Sequence, residues 1–196
     1  MSLKGQKTTT TSMDWDDFKS LISKLERDGE YKFSLLISVG VFTGLRISDL
    51  LQLRFNQFEE TDILTVTEIK TKKQRRIKIN QDLREIVARL KSKMNVEDPN
   101  QFMFVNKYGT KPIDKSYVNV KLKEILKRYG IVMEGNSSSH FLRKTLGNRV
   151  LRLNNYSSES VILLMELFSH SSPAMTKKYL GIREKEILNV YDSLKL

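Results

Sequence analysis

The chain contains only two histidines, and one of them, His170, stands nine residues before a tyrosine that two lysines precede, in LFSHSSPAMTKKYLGI, Leu167 to Ile182. This stretch is too polar to be plain core. A free phenol has a pKa near 10, so about one in a thousand is ionised at pH 7, and a nucleophilic tyrosine needs cations or a base beside it. Lys177, Lys178 and His170 could supply both for Tyr179. A tyrosine packed at the edge of a C-terminal helix is the plain alternative. The other histidine, His140, lies three residues before Arg143 in SSHFLRKTLGNRVLRL, beside the apolar stripe Leu142, Leu146, Val150 and Leu153 of one helix. A guanidinium next to an imidazole can grip a phosphate. So can Arg46 of FTGLRISDLLQLR, which falls near a helix start with Asp49 one turn on to brace it. A solvated basic face and an i, i+3 surface ion pair are the ordinary alternatives for these two.

The elements that must position these groups follow from periodicity. Ser12 can cap a helix with Asp14, Asp16 and Asp17 in its first turn and Trp15, Phe18, Leu21, Ile22 and Leu25 on its apolar face. YKFSLLISVGVFTG is apolar nearly all round, as a helix in the middle of a core is, and Gly44 suits its end. A short helix, RISDLLQLR, follows. DILTVTEI and RIKI are rich in β-branched residues and flank KTKKQR, which predicts a β-hairpin. QFMFV predicts a further strand, and Asp82 to Met94, Asp114 to Tyr129, His140 to Leu153 and Ser158 to Phe168 predict helices. The fold class expected is mainly α with a small antiparallel β-sheet.

Six of the nine residues from Lys70 to Lys78 are basic, which suits either protection of a strand edge or contact with a polyanion backbone. Lys70 is set apart because it ends the first strand, where the backbone should be fixed. The whole chain carries 34 Lys and Arg against 23 Asp and Glu, a formal charge of +11, so a polyanionic partner is favoured and nucleic acid is the commonest of these. At 196 residues it fits one domain, with residues 1–12 as a disordered tail or interdomain linker. No apolar run approaches a membrane span, no signal peptide is evident, and there are no cysteines, so the cytoplasm is the expected location.

Taken in order, Arg46, Lys70, His140-x-x-Arg143, His170 and Tyr179 form one pattern, and from about residue 13 to its end the chain resembles the catalytic domain of the tyrosine recombinases, or phage-type integrases. TGLRISDLLQLR looks like the first arginine box of that family, SSHFLRKTL its His-x-x-Arg box, and LFSHSSPAMTKKYLGI its terminal histidine and tyrosine box. There are departures: Ser169 stands where the family often has glycine, Lys144 follows the second arginine in place of a frequent histidine, and Lys72 or Lys73 could occupy the place given to Lys70.

The resemblance implies a reaction. Tyr179 attacks a scissile DNA phosphate to give a 3′-phosphotyrosyl link and a free 5′-hydroxyl. Arg46 and Arg143 stabilise charge on the phosphate, Lys70 protonates the leaving oxygen, His140 assists proton transfer from the phenol, His170 hydrogen-bonds the phosphate and Asp49 orients the site. Lys72, Lys73, Arg75, Arg76, Lys144, Lys177 and Lys178 are expected to face DNA. No cofactor or metal is expected: the sequence has neither a His-Glu-x-x-His motif nor a Walker loop. The implied partners are double-stranded DNA and three further copies in a homotetramer on DNA, with the stripe Ile187, Val190, Tyr191 and Leu194 docking on a neighbour or on its own body. The N-terminal DNA-binding domain usual in the family is not in this sequence. Integration or excision of a mobile element is the expected role, with type IB topoisomerase-like relaxation and a non-cleaving DNA-binding module as rivals.

Overall fold

An apolar helix without a polar face has to be enclosed, and the fold is arranged around one. The computed structural model describes residues 11–59, 61–133, 137–182, 191 and 194. Its elements run α1 (Trp15–Arg27), α2 (Tyr31–Thr43), α3 (Ile47–Leu50), α4 (Asn56–Glu59), β1 (Ile63–Thr67), β2 (Gln74–Lys78), α5 (Gln81–Lys93), α6 (Lys115–Arg128), α7 (His140–Leu153), α8 (Ser158–Leu167) and α9 (Pro173–Leu180). Ten of the thirteen residues of α2 are buried, and α1, α3, α5 and α7 pack around it. The covering helices α1 and α5 are amphipathic, turning Phe18, Leu21 and Leu25, and Leu83, Ile86, Val87 and Leu90, inward. This main core reaches Phe141 and Leu142 at the start of α7. A second, smaller core joins Leu151 at the end of α7 to Val161, Leu164 and Phe168 of the α8 region and Leu180 and Ile182 of the α9 region. Helix α7 thus belongs to both cores.

The sheet is the expected antiparallel hairpin, with Thr67 opposite Gln74 and Leu64 opposite Ile77. Leu64 and Ile77 share the buried face, and the two-residue period of β2 turns Arg75 toward the same side and Arg76 away from it. Helix starts follow local chemistry. Asn80, Asp114, Ser157 and Ser172 each cap with a side-chain oxygen, and Pro173 takes the first position of α9, where its missing N–H costs nothing.

Three expectations are corrected. QFMFV forms isolated bridges, Arg54 with Phe102 and Val105 with Pro112, rather than a strand; Pro112 has no N–H with which to extend a ladder. Asp14, not Ser12, occupies the N-cap position of α1, and Ser12 instead receives a hydrogen bond from Asn148 on α7. The helix expected over RISDLLQLR is the single turn Ile47–Leu50. Ile187 and Val190 of the terminal stripe lie outside the described residues, as do residues 1–10 of the tail. Among the described residues no helix is long and apolar enough to cross a membrane.

Gly44 ends α2 at φ 58°, the left-handed region, and a Cβ there would lie 2.6 Å from Leu146 Cδ2 on α7. Gly44→Ala is therefore expected to destabilise the domain by at least about 1–2 kcal/mol. The effect should appear as a lower urea midpoint at unchanged m-value.

Candidate active site

The site begins with carbonyls that two helices leave unsatisfied. The last turn of an α-helix has no intrahelical donors for its C=O groups and carries the negative end of the helix dipole. Helix α2 ends at Thr43 and Gly44. Helix α8 ends at Phe168, followed by Ser169 at φ 52°, with Ser169 N–H donating to Glu166 O and His170 N–H to Met165 O. This pair of bonds is a Schellman cap. It puts Ser169 in the left-handed region that glycine favours, fixes the backbone of His170 and leaves the Phe168 carbonyl free.

Arginines fill both ends. Arg143, only 3% exposed, donates from Nη1 to Gly44 O at 2.6 Å and from Nη2 to Phe168 O at 2.6 Å, with its guanidinium 4.3 Å above the Phe168 ring. Arg46, at the N-cap position of α3, reaches Phe168 O from Nη2 at 3.4 Å. Arg75 donates to Thr43 O at 2.7 Å and Gly44 O at 3.3 Å. Burial, joined by the like charges of Arg46 and Arg75, pushes the Arg143 pKa down to about 10, which leaves it cationic at neutral pH. Burial also lowers that of Arg75.

One acid holds the group together, and no motif in the sequence points to it. Glu68, fully buried, accepts from Arg46 Nη1 at 2.6 Å and from Thr71 Oγ1 at 2.7 Å, and lies 3.9 Å from Arg75 Nη1. Burial acts to raise its pKa, but the hydrogen bonds from Thr71 and Arg46 and the charges of Arg46 and Arg143 prevail and hold it below the ordinary glutamate value. Its main chain also closes the hairpin turn, with Glu68 N–H donating to Lys73 O and Lys72 N–H to Glu68 O. Asp49 does not brace Arg46. Its Oδ1 accepts from Ile69 N–H at 2.9 Å, anchoring the turn from below. Lys70 does not end the first strand, which stops at Thr67: Lys70, Lys72 and Lys73 are all exposed on that turn, where Lys72 N–H and Lys73 O bond to Glu68 and Lys70 follows Ile69, which Asp49 holds.

On the other side, α7 presents His140 at its first turn, and α9 presents Tyr179 at its last. His140 is exposed; partial desolvation, then the charges of Lys115, Arg143, Lys144 and Arg46, hold its pKa below the usual imidazole value. His170 Nδ1 is 3.0 Å from Thr176 Oγ1. Burial, followed by the Arg143 and Arg46 charges, pushes its pKa down to about 4, so the ring is neutral at pH 7. Tyr179 meets His170 edge-on at 5.1 Å and Phe168 at 5.6 Å between ring centroids. Its hydroxyl is buried with no hydrogen-bond partner among the described residues. Burial raises the phenol pKa, opposed by Arg143 and Arg46.

The structure thus gathers Arg46, Arg143, His170 and Tyr179 around Phe168, with His140 at the rim and Lys70 on the turn that Glu68 supports. Arg76 and Lys178 are exposed and Lys177 is half-buried. Two of the residues expected to face DNA do not. The inward face of β2 carries Arg75 onto the α2 carbonyls, and α7 buries Lys144, 7% exposed, against the Tyr179 ring. Such a set of fixed cationic donors beside a phenol is suited to holding a phosphodiester and attacking it. Among the described residues, no cluster of three or more His, Asp or Glu could hold a metal ion.

A mainly helical domain with this arrangement is that of a tyrosine recombinase. The profile of the phage integrase family matches residues 11–186, and the chain belongs to that family. It is 31% identical over 164 residues to the probable integrase/recombinase YoeC of Bacillus subtilis, covering 84% of this chain and 82% of that one. It is 26% identical to the tyrosine recombinase XerH of Campylobacter jejuni, covering 85% of this chain and 47% of the relative. Among solved structures, XerH bound to its difH substrate in a pre-cleavage complex superposes with a TM-score of 0.67 at 19% identity, over 94% of this chain and 54% of that one. A lambda integrase dimer bound to a COC′ core site gives 0.66 at 18%, over 92% and 50%. At these identities the structural likeness is one of fold. The chain spans about half the length of these last three.

Glu68→Gln tests the electrostatic centre. Because the folded-state pKa lies below the unfolded value, the contribution of Glu68 to stability is fully present above the unfolded pKa and is lost as pH falls through the folded one. Urea unfolding between about pH 7 and about pH 3 should show the variant less stable than the parent by up to about 3 kcal/mol at neutral pH, with the difference shrinking on acidification.

Proposed function

We propose that residues 13–196 form the catalytic domain of a site-specific DNA recombinase that cleaves and rejoins strands through a 3′-phosphotyrosyl intermediate, serving integration or excision of a mobile element. The observation that carries this reading is the convergence of Tyr179, His170, Arg46 and Arg143 on the Phe168 turn. Family membership, the +11 charge and the kinship to YoeC support it.

In the proposed reaction the Tyr179 phenol gives up its proton to water through the His140 imidazole, and its oxygen bonds to the phosphorus. The bond from phosphorus to the 5′ oxygen breaks, and that oxygen takes a proton from the Lys70 ammonium. Arg46 and Arg143 hold the non-bridging oxygens, on which charge accumulates, and His170 donates a further hydrogen bond to them. Asp49 and Glu68 keep the Lys70 turn and the Arg46 guanidinium in place. Since the link conserves the phosphodiester, a 5′-hydroxyl from a second duplex reverses the step without ATP. A homotetramer on DNA is the proposed assembly, because exchange joins strands from two duplexes, each cut at two sites.

The test uses end-labelled DNA fragments from the source genome, incubated in EDTA and stopped with detergent. The parent protein is expected to give a covalent protein–DNA band, and Tyr179→Phe none. A band that persists in Tyr179→Phe, or requires a metal, refutes the reading. On the captured fragment, Lys70→Ala should slow cleavage by roughly 10²–10⁴-fold. A sulfur at the bridging 5′ position, whose thiolate leaves without a proton, should restore it. Lys72→Ala and Lys73→Ala should weaken DNA retention and leave the cleavage rate of bound DNA unchanged.

A further inference from the structure

Lys144 is a buried lysine with no acid beside it among the described residues. It is 7% exposed, and no carboxylate lies within ion-pair distance of it among the described residues. A buried ammonium needs compensation. What faces it is a ring: its Nζ lies 4.9 Å from the centroid of Tyr179, within the range at which a cation is attracted to an aromatic face. The next turn of the same helix completes a seat. Gly147, three residues on and therefore on the same side of α7, lies where a Cβ would come within 2.6 Å of Leu180 Cδ2 and 3.2 Å of the Phe168 ring. Lys144 and Gly147 of α7 thus receive the consecutive residues Tyr179 and Leu180 of α9. Arg143, one position earlier and turned about a quarter of the way round the helix, is spent on the Gly44 and Phe168 carbonyls.

We propose that Lys144 is a positioning residue for the nucleophile: its ammonium, lying against the face of the Tyr179 ring, keeps α9 seated on α7 of the same protomer and favours the negative charge that the ring acquires as the phenol loses its proton. This rests on Tyr179 being the nucleophile. The seat discriminates by charge. An apolar side chain of similar length fills the same space but offers the ring no cation, whereas an arginine keeps the cation.

The test compares the full-length parent with Lys144→Met and Lys144→Arg. Hydrogen exchange of the α9 amides in the free protein reports seating without DNA, while covalent capture of the genomic fragment and its retention on the protein report reaction and binding separately. Lys144→Met is expected to exchange α9 about tenfold faster than the parent and to capture DNA about tenfold more slowly at unchanged retention. Lys144→Arg should stay near the parent in both. Parent-like α9 exchange in Lys144→Met, an equal defect in Lys144→Arg, or a loss of DNA retention in place of capture rate would each overturn the proposal. If the parent itself captures no DNA, the reaction assigned above fails, and the exchange measurement alone decides whether Lys144 seats the tyrosine.

Discussion

Helix ends that cannot satisfy their own carbonyls set the geometry of this site. Helices α2 and α8 terminate close together, each in a residue with positive φ, Gly44 and Ser169, and the carbonyls freed there point into one space. A buried carbonyl without a donor costs about 1–3 kcal/mol, so something must fill that space, and a guanidinium with its fork of N–H groups can reach both ends at once. Arg143 does so through Gly44 and Phe168. Because α7 belongs to both cores, the arginine that joins the two helix ends also ties the larger core to the smaller one that carries α9. Placement of the cationic donors and closure of the fold are therefore the same event.

Three guanidinium groups in one space repel one another, and Glu68 is what offsets them. Its burial without solvent would ordinarily favour the neutral acid, but Arg46 and Thr71 bind the charged form directly. The result is a site with more positive than negative charge among these four groups, held together firmly enough to exist before any phosphate arrives. Donors that are already aligned need not reorganise as charge develops on a reacting phosphate, the condition under which electrostatic stabilisation is most effective. Glu68 also belongs to the hairpin turn, so the lysine-bearing loop and the first arginine share an anchor although the sequence separates Arg46 from Glu68 by 22 residues.

How much of this could be read in advance depended on whether a residue's environment was local. The helix α7 with its His140-x-x-Arg143 pair and the terminal histidine and tyrosine were legible because periodicity and short spacings are local properties. Arg75 was legible too: Ile77 in β2 and Ile79 just beyond it mark the inward side, and a two-residue period places Arg75 with them. Glu68 was not legible, since nothing in TEIK tells that the hairpin folds over the end of α2. Nor was Lys144, whose burial comes from α9 packing across it. QFMFV has the composition of a strand, but it finds a proline and loop residues as partners, and composition cannot foresee partners.

The same logic explains why the tyrosine rests as it does. Tyr179 is half-buried against Phe168 and His170, and its hydroxyl, itself buried, has no hydrogen-bond partner among the described residues. Burial holds the phenol protonated while Arg143 and Arg46 pull the other way. His170 is likewise held neutral by burial and by the same two arginines. A phosphate entering between the arginines would offset their charge, making protonation of His170 easier, and would offer the orphaned hydroxyl an acceptor. Both changes favour the anion's arrival over the empty site. The resting state thus leaves unsatisfied, at the Tyr179 hydroxyl, a polar group that a phosphodiester could satisfy, and the free energy withheld from the fold there would become available to binding.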